Sequence, residues 1–362
     1  MNNDKINVCV CIPSKADNRS AEEQMKTLDK FRKLDSRLVF HFVEYVDKPE
    51  VRALRGQLNF EKAREMVGPP SAQLKKVLGD AQIILCVDLP FDMYRLAPRL
   101  LWVQSLGAGI AQLQNSGLDK LDDVILTNGA GITAGPIAEF VIARLLSHWK
   151  CFPQLDELQN QHIWKPIFGR DIAGSTLGIV GYGSIGQAIA WRAKALGMKV
   201  LATRRHVQNE VTDPHVDRLY STNELKAMLA QCDAIVLSAA EAPETFHLFN
   251  SQAFAAMKPG SYFCNVSRGS LVNEQALIQV LRSGHLAGAS IDVATVEPLP
   301  TDSPLWETPN LAISPHCSPA LDNFWRSAWK LFYENMERFL VKEPLKNLRS
   351  CRYSDAGSIG SD

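Results

Sequence analysis

Short apolar, β-branched runs alternate with longer stretches of helical periodicity along nearly the whole chain. The first five runs are Asn7 to Ile12, Leu38 to Phe42, Ile83 to Val87, Leu101 to Gln104 and Val124 to Thr127. Runs this short, separated by helical stretches, predict strands of parallel sheets joined by βαβ crossovers. Gly135 to Lys150 (GPIAEFVIARLLSHWK) then reads as one long apolar helix with Pro136 in its first turn. Six further runs follow: Thr176 to Val180, Lys199 to Thr203, Ala234 to Leu237, Tyr262 to Val266, Gly288 to Asp292 and Leu311 to Ser314. After Pro319 the pattern is helical again (FWRSAWKLFYENMERFLVKE), and the Gly/Ser-rich end SDAGSIGSD has too little apolar surface to pack. No internal repeat interrupts the series. The expected fold class is α/β, with two doubly wound parallel-sheet domains.

The length of 362 residues suits two such domains. A hydrophobic share of 46% with 22% charged residues is that of a globular chain. Because 39 Lys and Arg balance 39 Asp and Glu, no overall charge draws the protein to nucleic acid or to an anionic membrane. Neither partner is expected. The opening MNNDKINVCVCIPS lacks the apolar core of a signal peptide, and the longest apolar runs fall far short of a bilayer span. Eight scattered cysteines form no disulfide framework, which predicts reduced thiols and a cytoplasmic location. Cys9 and Cys11 share one face of a strand without two further ligands nearby, so packing is expected there and no metal site.

One motif carries chemistry by itself. In Thr176-Leu-Gly-Ile-Val-Gly-Tyr-Gly-Ser-Ile-Gly186, the residues Gly181, Gly183 and Gly186 form GxGxxG directly after a strand. Ile185, Ala188, Ile189, Ala193 and Leu196 then line one helical face, Gly197 closes the helix, and a second strand follows. That order is a dinucleotide fingerprint, in which a pyrophosphate rests on free N–H groups at a helix N-terminus. The expected cofactor contacts here are Gly181, Gly183, Ser184, Ile185 and Gly186. At the end of the second strand, where NAD enzymes place an acid for the ribose hydroxyl, the chain reads Thr203-Arg204-Arg205-His206. Two guanidinium groups suit a 2′-phosphate, so NADP (as NADPH) is the expected cofactor, with NAD as the alternative.

Three later segments end strands with reactive side chains: CNVSRGSLVNEQAL with Arg268, HLAGASIDVATVEPLP with Glu297, and SPHCSPA with His316. Arg, Glu and His in that order, after the GYGSIG turn, resemble the D-isomer-specific 2-hydroxyacid dehydrogenase family over about Ile83 to Asn347, nearest to the glyoxylate/hydroxypyruvate reductases. The resemblance implies that Arg268 holds the carboxylate of a 2-oxo acid with its fork. His316 is the proton donor to the carbonyl oxygen, and Glu297 orients the imidazole and favours its charged form. It also implies a nicotinamide contact at Asp292, for which a buried helix cap is an equal alternative, further cofactor contacts at Val266 and Ala240, and a substrate pocket at Leu89, Ala108 and Gly109, the last two in WVQSLGAGI. The expected organisation is residues 1–127 plus 322–350 as the substrate domain and 128–321 as the inserted Rossmann domain for NAD(P), with 351–362, by its Gly/Ser-rich composition, a flexible tail. The chain departs from the family at Ala111, where members usually carry Asp or Asn, and at Ala239-Ala240, where many carry Leu-Pro.

The function so implied is NADPH-dependent reduction of a small 2-oxo acid to the D-2-hydroxy acid. The main rival is a non-enzymatic, dinucleotide-sensing protein like the corepressors that share the fold; formate oxidation fits less well, because that branch carries Gln where this chain has Glu297. Trp102 and Trp306 read as packing residues, and His162 and Trp164 as parts of a crossing linker. His41, His148, His215, His247 and His285 have no partner pattern. For the apolar helix Ile137 to Trp149 two readings stand open, the surface of a homodimer or burial within one chain.

Overall fold

The computed structural model describes residues 4–13, 16–56, 59–121, 123–205, 213–320 and 323–351. His206 and the expected tail from residue 352 on lie outside these. The chain divides into two compact units, Met1–Ile132 with Leu321–Asp362, and Thr133–Ala320. The sequence expectation puts the divisions at 127/128 and 321/322.

The first unit holds five parallel strands: β1 (Ile6–Cys11), β2 (Leu38–Val43), β3 (Ile83–Cys86), β4 (Trp102–Ser105) and β5 (Ile125–Thr127). Their order across the sheet is β5-β4-β3-β1-β2, with the short strand Leu348–Arg349 antiparallel on the outer edge of β5. Alternation along β1 explains both faces. Val8 and Val10 pack with Phe31, Trp329 and Phe332, while Cys9 and Cys11 pack with Leu78, Ile84 and Cys86 on the other side. A slip of one residue would exchange the two sets, so the register is firmly specified. The helix Phe324–Leu340 returns to this unit through Trp325, Ala328, Trp329, Phe332 and Met336, a stripe with helical spacing.

Among the described residues the second unit holds seven strands, all parallel: β6 (Thr176–Val180), β7 (Lys199–Arg204), β8 (Arg218–Ser221), β9 (Ala234–Leu237), β10 (Ser261–Asn265), β11 (Leu286–Ile291) and β12 (Leu311–Ile313). The order β12-β11-β10-β9-β6-β7-β8 reverses direction between β6 and β9, which opens a crevice at the carboxyl ends of the strands. β8 was not legible as a strand because RLYS is short, polar and at the sheet edge. Along β10, Tyr262 and Cys264 face one helical layer and Phe263 the other.

The long apolar helix spans Ala134–Trp149. Its Ile137, Val141, Leu145 and Trp149 are buried with Leu177, Ile179, Val200 and Ile189 of the same unit. This face is therefore core, and of the two readings left open for the helix it is burial within one chain that this stripe serves. Just beyond, on and after the helix Phe152–Asn160, several apolar side chains stand exposed close together in sequence: Phe152, Ile163, Trp164 and Phe168, with Trp164 fully and Phe168 nine-tenths exposed. Among the described residues no helix is long and apolar enough to cross a membrane, and no group of His, Cys, Asp or Glu is placed to hold a metal ion.

Candidate active site

The glycine turn after β6 is shaped by close approach. Gly181 has φ +100°, and a Cβ there would lie 2.5 Å from the backbone of Ala239; a Cβ on Gly186 would lie 2.4 Å from the carbonyl oxygen of Gly181. Any larger residue would force the turn away from the β9 loop or the helix away from the turn. Thr203 at the end of β7 braces the same turn: its hydroxyl accepts from the Gly181 N–H at 3.4 Å and its carbonyl from the Tyr182 N–H at 2.9 Å. Ser238 donates to the Gly181 carbonyl at 2.9 Å. Tyr182, buried, donates to Asp213 at 2.6 Å, and burial together with that bond pushes its phenol well above the ordinary tyrosine range.

The residues fit a dinucleotide. A Cβ on Gly183 would meet nothing within 4 Å, so open space lies over the start of the helix Ser184–Ala195. With glycine at the N-cap no side chain caps the first turn, and its N–H groups are left to a ligand with negative charge. Ser184 is exposed and Ile185 half-buried at this end, and Arg204 and Arg205 stand exposed at the end of β7.

Past β10, the buried Asn265 shapes the turn that carries Arg268. Its Oδ1 accepts from the N–H and hydroxyl of Ser267, and its Nδ2 donates to the Arg268 carbonyl at 3.0 Å. The guanidinium of Arg268 is exposed and folds back to the Ser267 carbonyl at 2.7 Å. Gly269 brings this turn against the loop after β11, where a Cβ would lie 2.0 Å from the carbonyl carbon of Ala294.

That second loop holds Glu297. Its Oε1 accepts from the Ala294 N–H at 3.0 Å, and its Oε2 lies 2.8 Å from Nδ1 of His316. A carboxylate only accepts, so Nδ1 is the donor, and Nε2 has no partner among the described residues. The ring therefore presents one nitrogen outward and is steered by the other. Both side chains are some two-fifths exposed, so the pair acts through orientation more than through stability.

His316 has φ +53°, a strained region for a residue with a side chain. Asp292 holds it there. Its carbonyl accepts from the His316 N–H at 2.7 Å, and its buried carboxylate accepts from the Ser314 hydroxyl (2.7 Å), the Cys317 N–H (3.0 Å) and the Ser318 N–H (3.0 Å). The sequence reading gave Asp292 a nicotinamide contact; the structure adds a task as clamp of the histidine loop. Val266, next to this turn, is buried, and Ala240 after β9 is exposed.

In the first unit, Ala108 and Gly109 form an exposed loop after β4 whose N–H groups donate to none of the described residues. Gln112 ties this loop down, donating to the carbonyls of Val87 and Gly109, and Asn128 donates to that of Ala108. Gln112 thus serves one position beyond Ala111, the place of the family's usual acid or amide. Leu89 needs correction as a pocket residue. Its side chain is wholly buried in the core of this unit with Met93 and Ala97, and only its carbonyl makes a polar contact, from Arg55 at 2.9 Å.

Sequence reasoning missed Asn265, Gly269, Gln112 and the clamping role of Asp292. Gly269 did have a signal, since a glycine directly after a candidate catalytic arginine marks close approach. The hydrogen bonds of the others depend on tertiary placement.

The chain is similar to known proteins over most of its length. A family model described as the NAD binding domain of D-isomer specific 2-hydroxyacid dehydrogenases matches residues 142–318. The glyoxylate reductase/hydroxypyruvate reductase of Homo sapiens is 33% identical over 76% of this chain and 86% of its own. Among solved structures, a D-isomer specific 2-hydroxyacid dehydrogenase family protein from Aeromonas salmonicida is 30% identical with a TM-score of 0.70, covering 95% of this chain and 99% of the other. A D-isomer specific 2-hydroxyacid dehydrogenase from Xanthobacter autotrophicus, solved with NADPH and MES, is 26% identical with a TM-score of 0.70, over 95% and 98%.

Proposed function

Because the chain belongs to the D-isomer-specific 2-hydroxyacid dehydrogenase family, we propose that it reduces a small 2-oxo acid of the glyoxylate or hydroxypyruvate kind to the D-2-hydroxy acid, with NADPH. The observation that carries the reading is the Glu297–His316 pair at 2.8 Å. It supplies an oriented proton donor where the reaction needs one. The non-enzymatic alternative has no use for such a donor.

Bound NADPH supplies the hydride to the carbonyl carbon. Arg268 exchanges the Ser267 carbonyl for the substrate carboxylate and grips both oxygens, which fixes the neighbouring carbonyl. The Ala108 and Gly109 amides of the first unit are assigned to substrate binding, as the family resemblance implies. As negative charge grows on the carbonyl oxygen, Nε2 of His316 donates its proton there, and Glu297 steadies the imidazolium through Nδ1. The new C–H bond and the new O–H bond complete the 2-hydroxy acid.

To the cofactor we assign the amides of Gly183, Ser184, Ile185 and Gly186 at the pyrophosphate, with Gly181 and Thr203 shaping the turn beneath it, Arg204 and Arg205 at the 2′-phosphate, Ala240 at the adenosine end, and Val266 and Asp292 at the nicotinamide end. The absence of an acid at the end of β7 and the NADPH in the Xanthobacter relative support NADPH over NADH. Small residues at Ala108 and Gly109 and the name of the human relative support a short substrate. We further propose a homodimer joined through the exposed Phe152, Ile163, Trp164 and Phe168, and a cytoplasmic location that suits eight free cysteines.

A screen of 2-oxo acids with NADPH and with NADH tests the reading. Turnover of glyoxylate or hydroxypyruvate with higher kcat/KM for NADPH is expected. Preference for NADH overturns the cofactor assignment, and dinucleotide binding without turnover of any 2-oxo acid returns the sensing rival.

A further inference from the structure

Arg205 is already engaged. Its Nη2 lies 2.8 Å from Oε1 of Glu244, 39 residues later in the chain. Arg205 follows β7, Glu244 sits in the short turn Pro243–Thr245 after β9, and β6 lies between those two strands. The ion pair therefore bridges the two sides of the crevice that opens at the carboxyl end of β6, where sheets of this order take up the adenosine of a dinucleotide.

Glu244 stands on a braced turn. The hydroxyl of Thr245 accepts from the Ala242 N–H at 2.8 Å and is within donating distance of the carbonyls of Ala240 and Ala242, at 3.0 and 2.9 Å. The carboxylate is thus offered to Arg205 from a fixed position. Both partners remain about half exposed, so the bond is one that a stronger anion can replace.

We propose that Glu244 sets how strongly the site distinguishes phosphorylated from unphosphorylated dinucleotides, by occupying in the fork of Arg205 the place of the 2′-phosphate. The inference rests on the reading that Arg204 and Arg205 receive that phosphate. A 2′-phosphate must displace the carboxylate and then sit beside it, at a cost in both lost pairing and repulsion. An unphosphorylated ribose leaves the ion pair closed. Glu244 accordingly weakens the preference for the phosphorylated cofactor below what the two arginines alone would give.

The test is calorimetric titration of the full-length protein with 2′,5′-ADP and with 5′-AMP, which needs no turnover. Glu244→Gln keeps the shape and removes the charge, and should tighten 2′,5′-ADP by roughly two- to fivefold, the scale of an exposed ion pair, with 5′-AMP unchanged. In an Arg205→Ala background the same substitution should gain less, because only the repulsion remains to be relieved. Unchanged affinity for 2′,5′-ADP in Glu244→Gln, or equal tightening of both ligands, overturns the proposal. If Arg205→Ala, alone and together with Arg204→Ala, leaves 2′,5′-ADP as tight as before, the cofactor reading falls and the inference with it. If those variants weaken 2′,5′-ADP while Glu244→Gln changes nothing, the inference alone falls.

Discussion

Gly269→Ala adds one methyl group at the point where the Arg268 turn meets the Glu297 loop. The new carbon would lie 2.0 Å from the carbonyl carbon of Ala294 and 2.2 Å from its oxygen and from the Thr295 nitrogen, whereas ordinary contact begins near 3.4 Å. The two segments must part by about 1.4 Å. Neither side yields easily, since the Thr295 N–H is bonded to Glu274 at 2.7 Å, the Ala294 N–H to Glu297 at 3.0 Å, and the Arg268 carbonyl to Asn265. Overpacking of this kind costs about 1 to 3 kcal/mol of stability. A displacement of about 1 Å between reacting groups costs on the order of 10²-fold in rate, so kcat/KM should fall by about that factor even in the fraction that remains folded. Urea denaturation and steady-state kinetics on the same preparation measure both effects. Gly79→Ala is the matched control: it lies in the helix Ala72–Asp80 with nothing within 4 Å of its new methyl group, and should leave rate and stability close to wild type or slightly raise the latter. Wild-type stability and rate in Gly269→Ala would refute the close approach. Lost stability with an unchanged rate per folded molecule would refute the coupling of Arg268 to Glu297 through this contact.

His316→Ala should lower kcat by about 10²- to 10⁴-fold with little change in KM, since the carboxylate grip is separate from the proton donor; a large rise in KM alone would contradict this. Arg268→Ala should raise KM and lower kcat together, and Arg268→Lys should recover KM better than kcat, because an ammonium restores charge without the planar fork; near wild-type constants in Arg268→Ala would remove the site assignment. Glu297→Ala should lower kcat more than it raises KM, since the imidazole loses the acceptor that orients it through Nδ1, and an unchanged kcat would separate the carboxylate from the proton donor. His148 is pushed below the ordinary histidine range, first by burial and then by Arg170. The unfolded chain then binds a proton that the folded one refuses, so stability should fall as pH drops below about 6.5, and His148→Gln should flatten that slope in urea titrations; equal slopes would show that His148 is not its source.

Much of this was legible because parallel α/β proteins write their fold in a repeating code. Every strand of the second sheet except β8 announced itself as an apolar run, and GYGSIG announced the turn after β6 through Gly181 and Gly186, which close approach demands, and Gly183, which leaves the start of the helix open. Arg268, Glu297 and His316 were legible as types at strand ends. Less legible were contacts made between loops distant in sequence. Nothing local in SIDV shows that Asp292 will gather the amides of Cys317 and Ser318, or in EAPET that Glu244 will meet Arg205. The apolar pattern of Ala134–Trp149 left burial and assembly undecided, because both want the same stripe. Only the neighbours Ile189 and Leu177 decide between them, and they come from elements whose placement the pattern alone does not give.

The order of strands in the second sheet divides the labour of the site. The groups assigned to the pyrophosphate and 2′-phosphate follow β6 and β7, the groups assigned to the reaction follow β10, β11 and β12, and β9 stands between the two sets. Each half is braced mainly from within, by Thr203 on one side and by Asn265 and Asp292 on the other. Substitutions in one half should therefore combine nearly additively with those in the other, while substitutions inside a half should not. Such a sheet permits two separate histories of change: dinucleotide choice can be retuned at the ends of β7 and β9, and substrate choice around Arg268, without either search disturbing what the other has reached.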